Sequence, residues 1–348
     1  MAGRLMLAAA FSAYGGPEVL GTEELADLVP GPDEVVVQVA ACGVNHSDLD
    51  SRAGTSRWTF AFPFVLGAEF AGTVAAVGAD VRGLAPGQPV TAFQQYACGR
   101  CAACARWRED LCPHFTVFGT DCWGGYAEQV RVPARAIIPL ASEDQFLTAA
   151  AAQTAVSTAW HMTVVLAAVR AGETVLVPSA SGGVASALVQ CAKLAGARVI
   201  ASVGAVGKRD AVADLGADEV FCYRDVPPGE AVAAYTNGRG VDVVLDTVGG
   251  PLFDEHLGAL VPDGRLATCG AHAGAHPRVD LVDLFQRGHR ILGFRVARPD
   301  EIERALDMAL AGRIRVPIAA TFPLTNAAAA HAALERREHV GKIVLVTA

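Results

Sequence analysis

The first 140 residues alternate short apolar runs with turn residues. Apolar or alternating runs occupy 35–39, 66–77 and 89–92, and glycine and proline are frequent between them. This pattern predicts a first domain built mainly of short β-strands joined by turns.

From about residue 150 the pattern changes to short, mainly apolar runs that alternate with helical segments. The predicted strands are 174–177, 198–203, 219–223, 241–246, 265–269 and 290–294, and the predicted helices between them are 183–195, 208–215 and 252–260. Short apolar strands interleaved with helices indicate a parallel, doubly wound sheet that is covered on both faces. Helices at 301–310 and 326–334 follow, and we expect the terminal strand 342–346 to return to the first domain.

Length and composition agree with a two-domain α/β protein. The chain has 348 residues, of which 52% are hydrophobic and 18% charged, so disorder is not expected. The formal net charge of −8 argues against a nucleic-acid partner, which needs a basic patch. No basic segment precedes an apolar one at the N-terminus, so we expect no secretion signal and a cytoplasmic location.

One stretch, 145–169, has no Asp, Glu, Lys or Arg and is long enough to span a bilayer. It is rich in alanine and contains polar side chains, including Gln153, Thr154, Ser157 and His161. Polar groups are costly in lipid, so we predict a buried helix and no membrane partner.

The turn after strand 174–177 carries the pattern of a dinucleotide-binding site. Glycines there let the backbone approach a pyrophosphate, which the N-terminus of the next helix attracts. Alanine stands where the fingerprint has its third glycine, so an ordinary glycine-rich turn is the alternative. The candidate cofactor residues are Ser179, Ser181, Gly182, Gly183 and Val184.

The end of the next strand favours NADP(H) over NAD(H). NAD sites place an acidic residue there to bind the ribose hydroxyls, whereas cations suit the 2′-phosphate of NADP. No acid precedes Asp210, and Ser202, Lys208 and Arg209 are the candidate phosphate contacts. The alternative is a solvated helix N-terminus, where two cations are slightly unfavourable.

Four of the nine cysteines lie within fifteen residues, in a lobe spanning 94–114. The spacing Cys98, Cys101, Cys104 and Cys112 predicts one tetrahedral zinc ion, and a site with four sulfur ligands is structural rather than catalytic. Disulfides or idle thiols are the alternatives, but an odd number of cysteines without an export signal argues against disulfides.

Together these features resemble the medium-chain dehydrogenase/reductase superfamily, the zinc alcohol dehydrogenase and quinone oxidoreductase group. Further matching motifs are GGPEVL at 15–20, CGVNHSD at 42–48, GAEFAG at 67–72, GGYAE at 124–128, VDVVLDTVGG at 241–250 and GKIVL at 341–345. The resemblance implies a GroES-like, mainly β catalytic domain (1–150 and 296–348) and a Rossmann coenzyme domain (151–295).

The sequence departs from the zinc alcohol dehydrogenases at the catalytic metal. By resemblance, the three ligands should fall at Asn45, at Ala68 and within 151–155, and none of these positions offers a sulfur or an imidazole. A three-ligand zinc site is therefore not expected there. An improvised set of Cys42, His46 and Glu69 is the alternative, although the resemblance assigns His46 to the cofactor pyrophosphate.

The resemblance also implies roles for single residues. Asn45 would donate to substrate oxygen or to the cofactor ribose, with a turn-capping role as the alternative, and Ser47 is the candidate acid, unless it is an ordinary loop serine. Many relatives carry a tyrosine where this chain has Asp50. The other implied cofactor contacts are His46 and Lys342 at the phosphates, Tyr223 along the adenosine and Gly270 at the nicotinamide. Trp58, Phe60, Phe62 and Trp123 are candidates for an apolar substrate pocket.

The function implied is an NADPH-dependent reductase of an activated C=C bond, such as an enone or quinone. Without a Lewis acid a simple carbonyl is hard to reduce, whereas conjugate hydride addition needs only hydrogen bonds to the enolate oxygen. The alternatives are a zinc-free carbonyl or iminium reductase of a biosynthetic pathway and a non-catalytic NADPH-binding protein. We expect a small hydrophobic substrate and a homodimer or homotetramer that pairs through strand 290–294.

Overall fold

The computed structural model describes residues 5–347 and divides into two compact units. The first contains the chain up to Thr154, Arg298–Leu310 and the chain from Ile318 onward, and the second contains Ala155–Ala297 and Ala311–Pro317. The short segment Ala311–Pro317 was predicted to belong to the first domain. It clusters with the second because Arg315 N–H donates to the Gln190 side-chain oxygen and the Gln190 amide donates to the Arg315 carbonyl, both at 2.8 Å.

The N-terminal part of the chain forms the sheets of the first unit. Its elements are β1 (Leu5–Phe11), β2 (Leu20–Ala26), β3 (Glu34–Val44), α1 (His46–Ala53), β4 (Phe64–Val65), β5 (Glu69–Val77), β6 (Pro89–Ala92), β7 (Gln95–Tyr96), β8 (Thr116–Val117), β9 (Gln129–Pro133), β10 (Ile137–Pro139) and α2 (Phe146–Trp160).

The second unit and the returning C-terminal segment supply the remaining elements. They are β11 (Thr174–Val177), α3 (Gly183–Leu194), β12 (Arg198–Val203), α4 (Arg209–Ala213), β13 (Glu219–Cys222), α5 (Pro228–Thr236), β14 (Val241–Asp246), α6 (Phe253–Gly258), β15 (Leu260–Thr268), α7 (Leu281–Gln286), β16 (Arg290–Gly293), α8 (Pro299–Leu310), β17 (Ile318–Pro323), α9 (Ala327–Arg336) and β18 (Lys342–Val346).

The first unit is built around a mixed sheet in the order β10-β6-β5-β3-β18-β17, with β9 also paired to β3. A smaller sheet has the order β2-β1-β4. The terminal strand β18 pairs antiparallel with β3, and Ile343 lies opposite Val44. This confirms that the chain returns to the first domain.

The second unit is a six-stranded parallel sheet in the order β13-β12-β11-β14-β15-β16. Its strands β11, β12 and β14 are almost wholly buried, as expected for a sheet with helices on both faces. The order reverses direction between β11 and β14, and in such folds a ligand binds beyond the carboxyl ends of the strands at this point.

The charge-free stretch forms α2, which continues into a π-helical turn at His161–Leu166. Arg265 lies where this turn ends, and its guanidinium donates to the carbonyls of Ala167 and Ala168. A cation is favourable at a helix C-terminus, where carbonyl groups lack helical partners. Within residues 5–347 no helix has the length and apolar character needed to cross a membrane.

Candidate functional site

The turn between β11 and α3 is tied to the neighbouring strand β12. Ser179 has a left-handed backbone, with φ of +51°, and its N–H donates to the Ser202 hydroxyl at 3.1 Å. The Ala180 N–H donates to the Ser202 carbonyl at 2.8 Å. A left-handed conformation is unfavourable for a residue other than glycine, and these hydrogen bonds stabilise it. Hydrogen bonds to Ser202 therefore fix the conformation of this turn.

Gly182 leaves open space at the start of α3. A Cβ atom there would lie 3.9 Å from the Ser179 carbonyl oxygen and near no other atom beyond its chain neighbours. Packing within the protein does not require glycine here, whereas close approach of a ligand does. The first N–H groups of α3 lack helical acceptors and attract an anion. The turn 181–184 thus fits a dinucleotide pyrophosphate.

The structure corrects the predicted role of Ser202. Its side chain is buried, with the residue 1% exposed, and its hydroxyl oxygen accepts the Ser179 N–H. A hydroxyl that is buried in this way does not reach a 2′-phosphate at the surface. Ser202 shapes the glycine-rich turn instead.

Two cations and a tyrosine lie at the carboxyl ends of β12 and β13. Lys208 Nζ is 3.5 Å from the Ser181 hydroxyl, and Arg209 is exposed. A Cβ atom at Gly204 would lie 2.7 Å from the Tyr223 hydroxyl, so the tyrosine covers the backbone just beyond β12. Cations beside a glycine-rich turn suit a phosphate group. The cofactor roles of Lys208, Arg209 and Tyr223 remain predictions.

In the first unit, Asn45 links the end of β3 to the start of α1, and two charged groups hold its side chain. Asn45 Oδ1 accepts from Lys342 Nζ at 2.7 Å, and Nδ2 donates to Glu69 Oε1 at 2.9 Å. Turning the amide over would set its oxygen against the carboxylate and its NH₂ against the ammonium. The charges therefore fix the orientation of the amide.

Lys342 and Glu69 form an ion pair inside the first unit. Their side chains are 5% and 0% exposed. The three ammonium protons are matched by three acceptors, which are Glu69 Oε1, Asn45 Oδ1 and the Val44 carbonyl at 3.1 Å. Glu69 Oε2 accepts the Thr154 N–H at 2.8 Å. Each buried charge is thus satisfied, as its burial demands.

These contacts correct the predicted position of Lys342 at the cofactor phosphates. An ammonium group has three protons to donate, and all three are used within the first unit. The pairing of β18 with β3 brings Lys342 beside Asn45, which lies 297 residues away in the sequence.

A chain of polar side chains continues from Asn45. The Asn45 backbone N–H donates to Asp48 Oδ2 at 2.8 Å, and the Tyr126 hydroxyl donates to the same oxygen at 3.1 Å. The Tyr126 hydroxyl oxygen also lies 3.1 Å from His331 Nε2. Asp48, Tyr126 and His331 are all buried.

Arg52 sets the direction of these hydrogen bonds. Its Nη1 lies 3.4 Å from His331 Nδ1, and a guanidinium can only donate. His331 Nδ1 therefore accepts and Nε2 carries the ring proton, which it donates to Tyr126. Arg52 also pairs with the partly exposed Glu335 at 2.6 Å. We call Arg52, His331, Tyr126 and Asp48 the Arg52–Asp48 chain.

Burial shifts the titration of this chain. It raises the pKa of the Asp48 carboxyl to about 6, and burial together with the nearby Arg52 charge lowers the pKa of His331 to about 3. At neutral pH His331 is therefore uncharged and Asp48 is ionised. These are the states that the hydrogen-bond directions require.

The four cysteines of the 94–114 lobe converge. Their sulfur atoms all lie within 4.8 Å of one another. The Sγ–Sγ distance is 3.4 Å between Cys101 and Cys104, 3.6 Å between Cys98 and Cys112 and 4.0 Å between Cys98 and Cys104. Sulfurs about 2.3 Å from one tetrahedral zinc ion would be about 3.8 Å apart. The cluster therefore fits a closed zinc site.

Backbone N–H groups donate to sulfur atoms of this cluster. The N–H groups of Cys98 and His114 donate to Cys112 Sγ at 3.4 and 3.3 Å. A hydrogen bond from the Arg100 backbone contributes most to lowering the pKa of Cys98, to about 6. Thiolate is the form that binds zinc.

Among residues 5–347, this cluster is the one group of three or more His, Cys, Asp or Glu side chains arranged to hold a metal ion. The alternative set of Cys42, His46 and Glu69 is not brought together in this way. Both oxygens of Glu69 already accept hydrogen bonds within the first unit.

Known protein families match segments of both units. Residues 31–142 match the family described as alcohol dehydrogenase GroES-like domain, and residues 183–311 match the family described as zinc-binding dehydrogenase. An alcohol dehydrogenase of Schizosaccharomyces pombe is 30% identical over 344 residues, which cover 97% of each chain. The chain belongs to the medium-chain dehydrogenase/reductase superfamily.

Other members of the superfamily are similarly related to the chain. A quinone oxidoreductase of Pseudomonas aeruginosa is 30% identical over 345 residues, covering 97% of this chain and 98% of that protein. A mycocerosic acid synthase-like polyketide synthase of Mycobacterium tuberculosis is 30% identical over 326 residues, or 91% of this chain. The matched region spans only 14% of the synthase.

Solved structures of the superfamily share the fold. An NAD-dependent alcohol dehydrogenase superposes with a TM-score of 0.93 and 37% identity, over 99% of this chain and all of that one. The quinone oxidoreductase of Escherichia coli complexed with NADPH gives 0.83 and 26%, with the same coverage. The predicted superfamily and its GroES-like and Rossmann architecture are confirmed.

The remaining predicted site residues are placed as follows. His46 and Ser47 are the first two residues of α1, and Ser47 is exposed. A Cβ atom at Gly270 would lie 2.0 Å from the Thr247 carbonyl oxygen, so packing alone requires glycine there. The roles of His46, Ser47 and Gly270 remain predictions.

Two of the predicted pocket aromatics belong to a ring cluster. Phe60 and Phe62 both contact Phe11 and Tyr14, with ring centroids 5.2–6.4 Å apart. Tyr14 and Phe62 remain about two-fifths exposed. The cluster offers apolar surface to a flat ligand.

Sequence reasoning missed most of the Arg52–Asp48 chain. Asp48 carries a local signal, because it lies three residues after Asn45 at the spacing of a capping box. Tyr126 lies in the matching motif at 124–128 but had no predicted role, and Arg52 and His331 carry no local signal. Each of the three reaches its partner through tertiary packing.

Proposed function

We propose that the protein is an NADPH-dependent reductase that transfers hydride to an activated C=C bond, as in an enone or quinone, without a catalytic metal. The observation that carries this proposal is the Asn45 amide, whose orientation is fixed by Lys342 and Glu69. It offers a rigid hydrogen-bond donor at the position where zinc alcohol dehydrogenases carry a metal ligand. The similarity to quinone oxidoreductases supports the same reaction class.

The proposed reaction needs one donor for an oxyanion and one proton. NADPH held at the turn 181–184 would supply a hydride for the β-carbon of the substrate, and the C=C electron pair would move toward the carbonyl oxygen. One Asn45 Nδ2–H group donates a hydrogen bond to Glu69, and the other is left to donate to the resulting enolate oxygen. A proton from Ser47 or from water then adds to the α-carbon. The partly exposed rings of Tyr14 and Phe62 favour a flat, apolar substrate.

The test is NADPH oxidation on a panel that contains an enone, a quinone, a simple ketone and a cyclic imine. We expect turnover on the enone and the quinone and little on the ketone. Turnover confined to the ketone or the imine would support the carbonyl or iminium reductase instead. NADPH binding without turnover on any substrate would indicate a non-catalytic binding protein.

We propose that Lys208 and Arg209 select NADPH over NADH by binding the 2′-phosphate. The double substitution Lys208→Ala and Arg209→Ala is expected to raise the Kd for NADPH about 100-fold, because two charge-assisted hydrogen bonds are lost. The Kd for NADH should not change. Titration of cofactor fluorescence measures both, with Lys193→Ala, which removes a lysine paired with Asp218, as the control. Equal affinity of the unaltered protein for both cofactors would contradict the assignment.

We further propose that the cysteine cluster binds one structural zinc ion per chain. Elemental analysis should give about one zinc per chain, and Cys112→Ser should lower this to below about 0.1, because a closed site needs all four thiolates. Cys122→Ser removes a thiol outside the cluster and should leave the zinc content unchanged. Retention of zinc in Cys112→Ser would show that the metal lies elsewhere. Because the site needs free thiolates, we also propose a reducing compartment such as the cytoplasm.

For the assembly we propose a homodimer that forms at the edge strand β16. Strand β16 pairs with β15 on one side, and the preceding helix α7 exposes Leu281, Val282 and Phe285. An edge strand beside apolar side chains suits pairing with its own copy. Sedimentation equilibrium should give a dimer, and Ile291→Pro, which blocks strand pairing, should give a monomer. A monomer before substitution would contradict the proposal.

A further inference from the structure

The ion pair that holds Asn45 lies inside the first unit. The Lys342 and Glu69 side chains are 5% and 0% exposed. A buried ammonium–carboxylate pair contributes little net stability, because loss of hydration offsets most of the attraction. Net stability alone therefore does not explain why this ion pair lies beside Asn45, at the start of α1.

The pair acts electrically on the Asn45 amide. An ammonium at 2.7 Å from Oδ1 draws electron density toward the amide oxygen, which makes the Nδ2 protons stronger donors. Glu69 accepts one of these protons, and the Thr154 N–H restrains the other carboxylate oxygen. The second Nδ2 proton is then both polarised and fixed in direction.

We propose that Lys342 is a positioning residue that acts through Asn45, orienting and polarising the amide that receives the developing oxyanion. Lys342 cannot donate to the substrate itself, since its three protons are used by Glu69, Asn45 and the Val44 carbonyl. The Lys342 ammonium therefore acts on the substrate only by polarising the Asn45 amide. This inference rests on the proposed function.

The kinetic test uses Lys342→Met combined with Glu69→Gln, so that no unpaired carboxylate is left buried. Circular dichroism and thermal unfolding are used to check that the double variant is folded. We expect kcat for enone reduction to fall about 10- to 100-fold, with the KM for substrate and the Kd for NADPH nearly unchanged. The kinetic isotope effect with [4-²H]NADPH should rise, because hydride transfer becomes slower.

A double-mutant cycle separates positioning from a general structural role. If Lys342 acts through the amide, the same pair of substitutions should have no further effect on kcat in an Asn45→Ala background. An equal loss of kcat in both backgrounds would overturn the inference, as would full activity of the Lys342→Met/Glu69→Gln variant.

A second measurement needs no substrate. In protein labelled with [¹⁵N]asparagine, the Asn45 side-chain resonance is assigned by its absence in Asn45→Ala. It should shift and exchange faster with solvent in the Lys342→Met/Glu69→Gln variant, because the amide loses its ammonium donor and the charge of its carboxylate acceptor. An unchanged resonance would overturn the inference. If the unaltered protein reduces no substrate, the proposed function fails, while this spectrum still decides whether the Lys342–Glu69 pair controls the amide.

Discussion

Replacing Asn45 with alanine is expected to lower kcat for enone reduction about 10²- to 10³-fold, with little change in the KM for substrate. Loss of one fixed donor to a developing oxyanion costs this much when the donor acts mainly in the transition state. The structure supports such a donor, because Lys342 and Glu69 fix the amide before any substrate binds. Steady-state kinetics with NADPH and an enone measure the effect.

Asn326→Ala is the matched control for this prediction. Asn326 also lies immediately before a helix of the first unit, α9, but it is exposed and its side chain makes no capping hydrogen bond. Its substitution should leave kcat unchanged. If Asn45→Ala raised KM and kept kcat, Asn45 would bind ground state and transition state equally, and the proposed oxyanion role would be wrong.

Most of the elements could be predicted from local patterns. The mainly apolar runs at 174–177, 198–203 and 241–246 are strands with those bounds in the structure. Strand β15 is an exception, because it begins at Leu260 rather than at residue 265. Its first part contains Pro262, Asp263 and Gly264, which are turn residues by type, and Asp263 has a positive φ of +61°. Pairing with β14 through a change of register holds this irregular segment in the strand.

Some features of the candidate site could also be predicted from local sequence, whereas others depend on long-range pairing. Cysteine spacing is a local signal, and the four sulfurs lie together as expected. The partners of Lys342 depend instead on the register of β18 against β3, which no sequence pattern near either strand specifies. The resemblance identified Lys342 as a functional position, but its contacts follow from tertiary pairing.

The Arg52–Asp48 chain connects the start of α1 with α9 and gives the first unit two opposing pH dependences. His331 has a folded-state pKa of about 3, below its ordinary value near 6.5. Its contribution to stability is complete above about pH 6.5 and is lost as the pH falls toward 3. Asp48 has a folded-state pKa of about 6, above its ordinary value near 3.8. It favours the folded state increasingly as the pH falls through 6.

Two substitutions should separate these contributions with opposite signs. Between pH 7 and about pH 4.5 each group changes the free energy of unfolding by about 2 kcal/mol, and in the unaltered protein the two changes largely cancel. In His331→Asn the free energy of unfolding should rise by about 2 kcal/mol on acidification, because only the pH dependence of Asp48 remains. In Asp48→Asn the free energy of unfolding should fall by a similar amount over the same pH change, because only the pH dependence of His331 remains. Urea unfolding followed by tryptophan fluorescence reports mainly on the first unit, which contains three of the four tryptophans, Trp58, Trp107 and Trp123.

The comparison of each variant with itself at the two pH values is what makes this prediction specific. Either substitution also removes a buried hydrogen bond, but that loss is similar at both pH values and cancels in the difference. Titratable groups outside the Arg52–Asp48 chain behave alike in all three proteins, so their contributions to the difference cancel as well. Shifts of the same sign in His331→Asn and Asp48→Asn would mean that His331 is not held neutral beside Arg52. The hydrogen-bond directions from Arg52 to Asp48 would then have to be reversed or broken, and the fixed start of α1 that presents Asn45 would need another explanation.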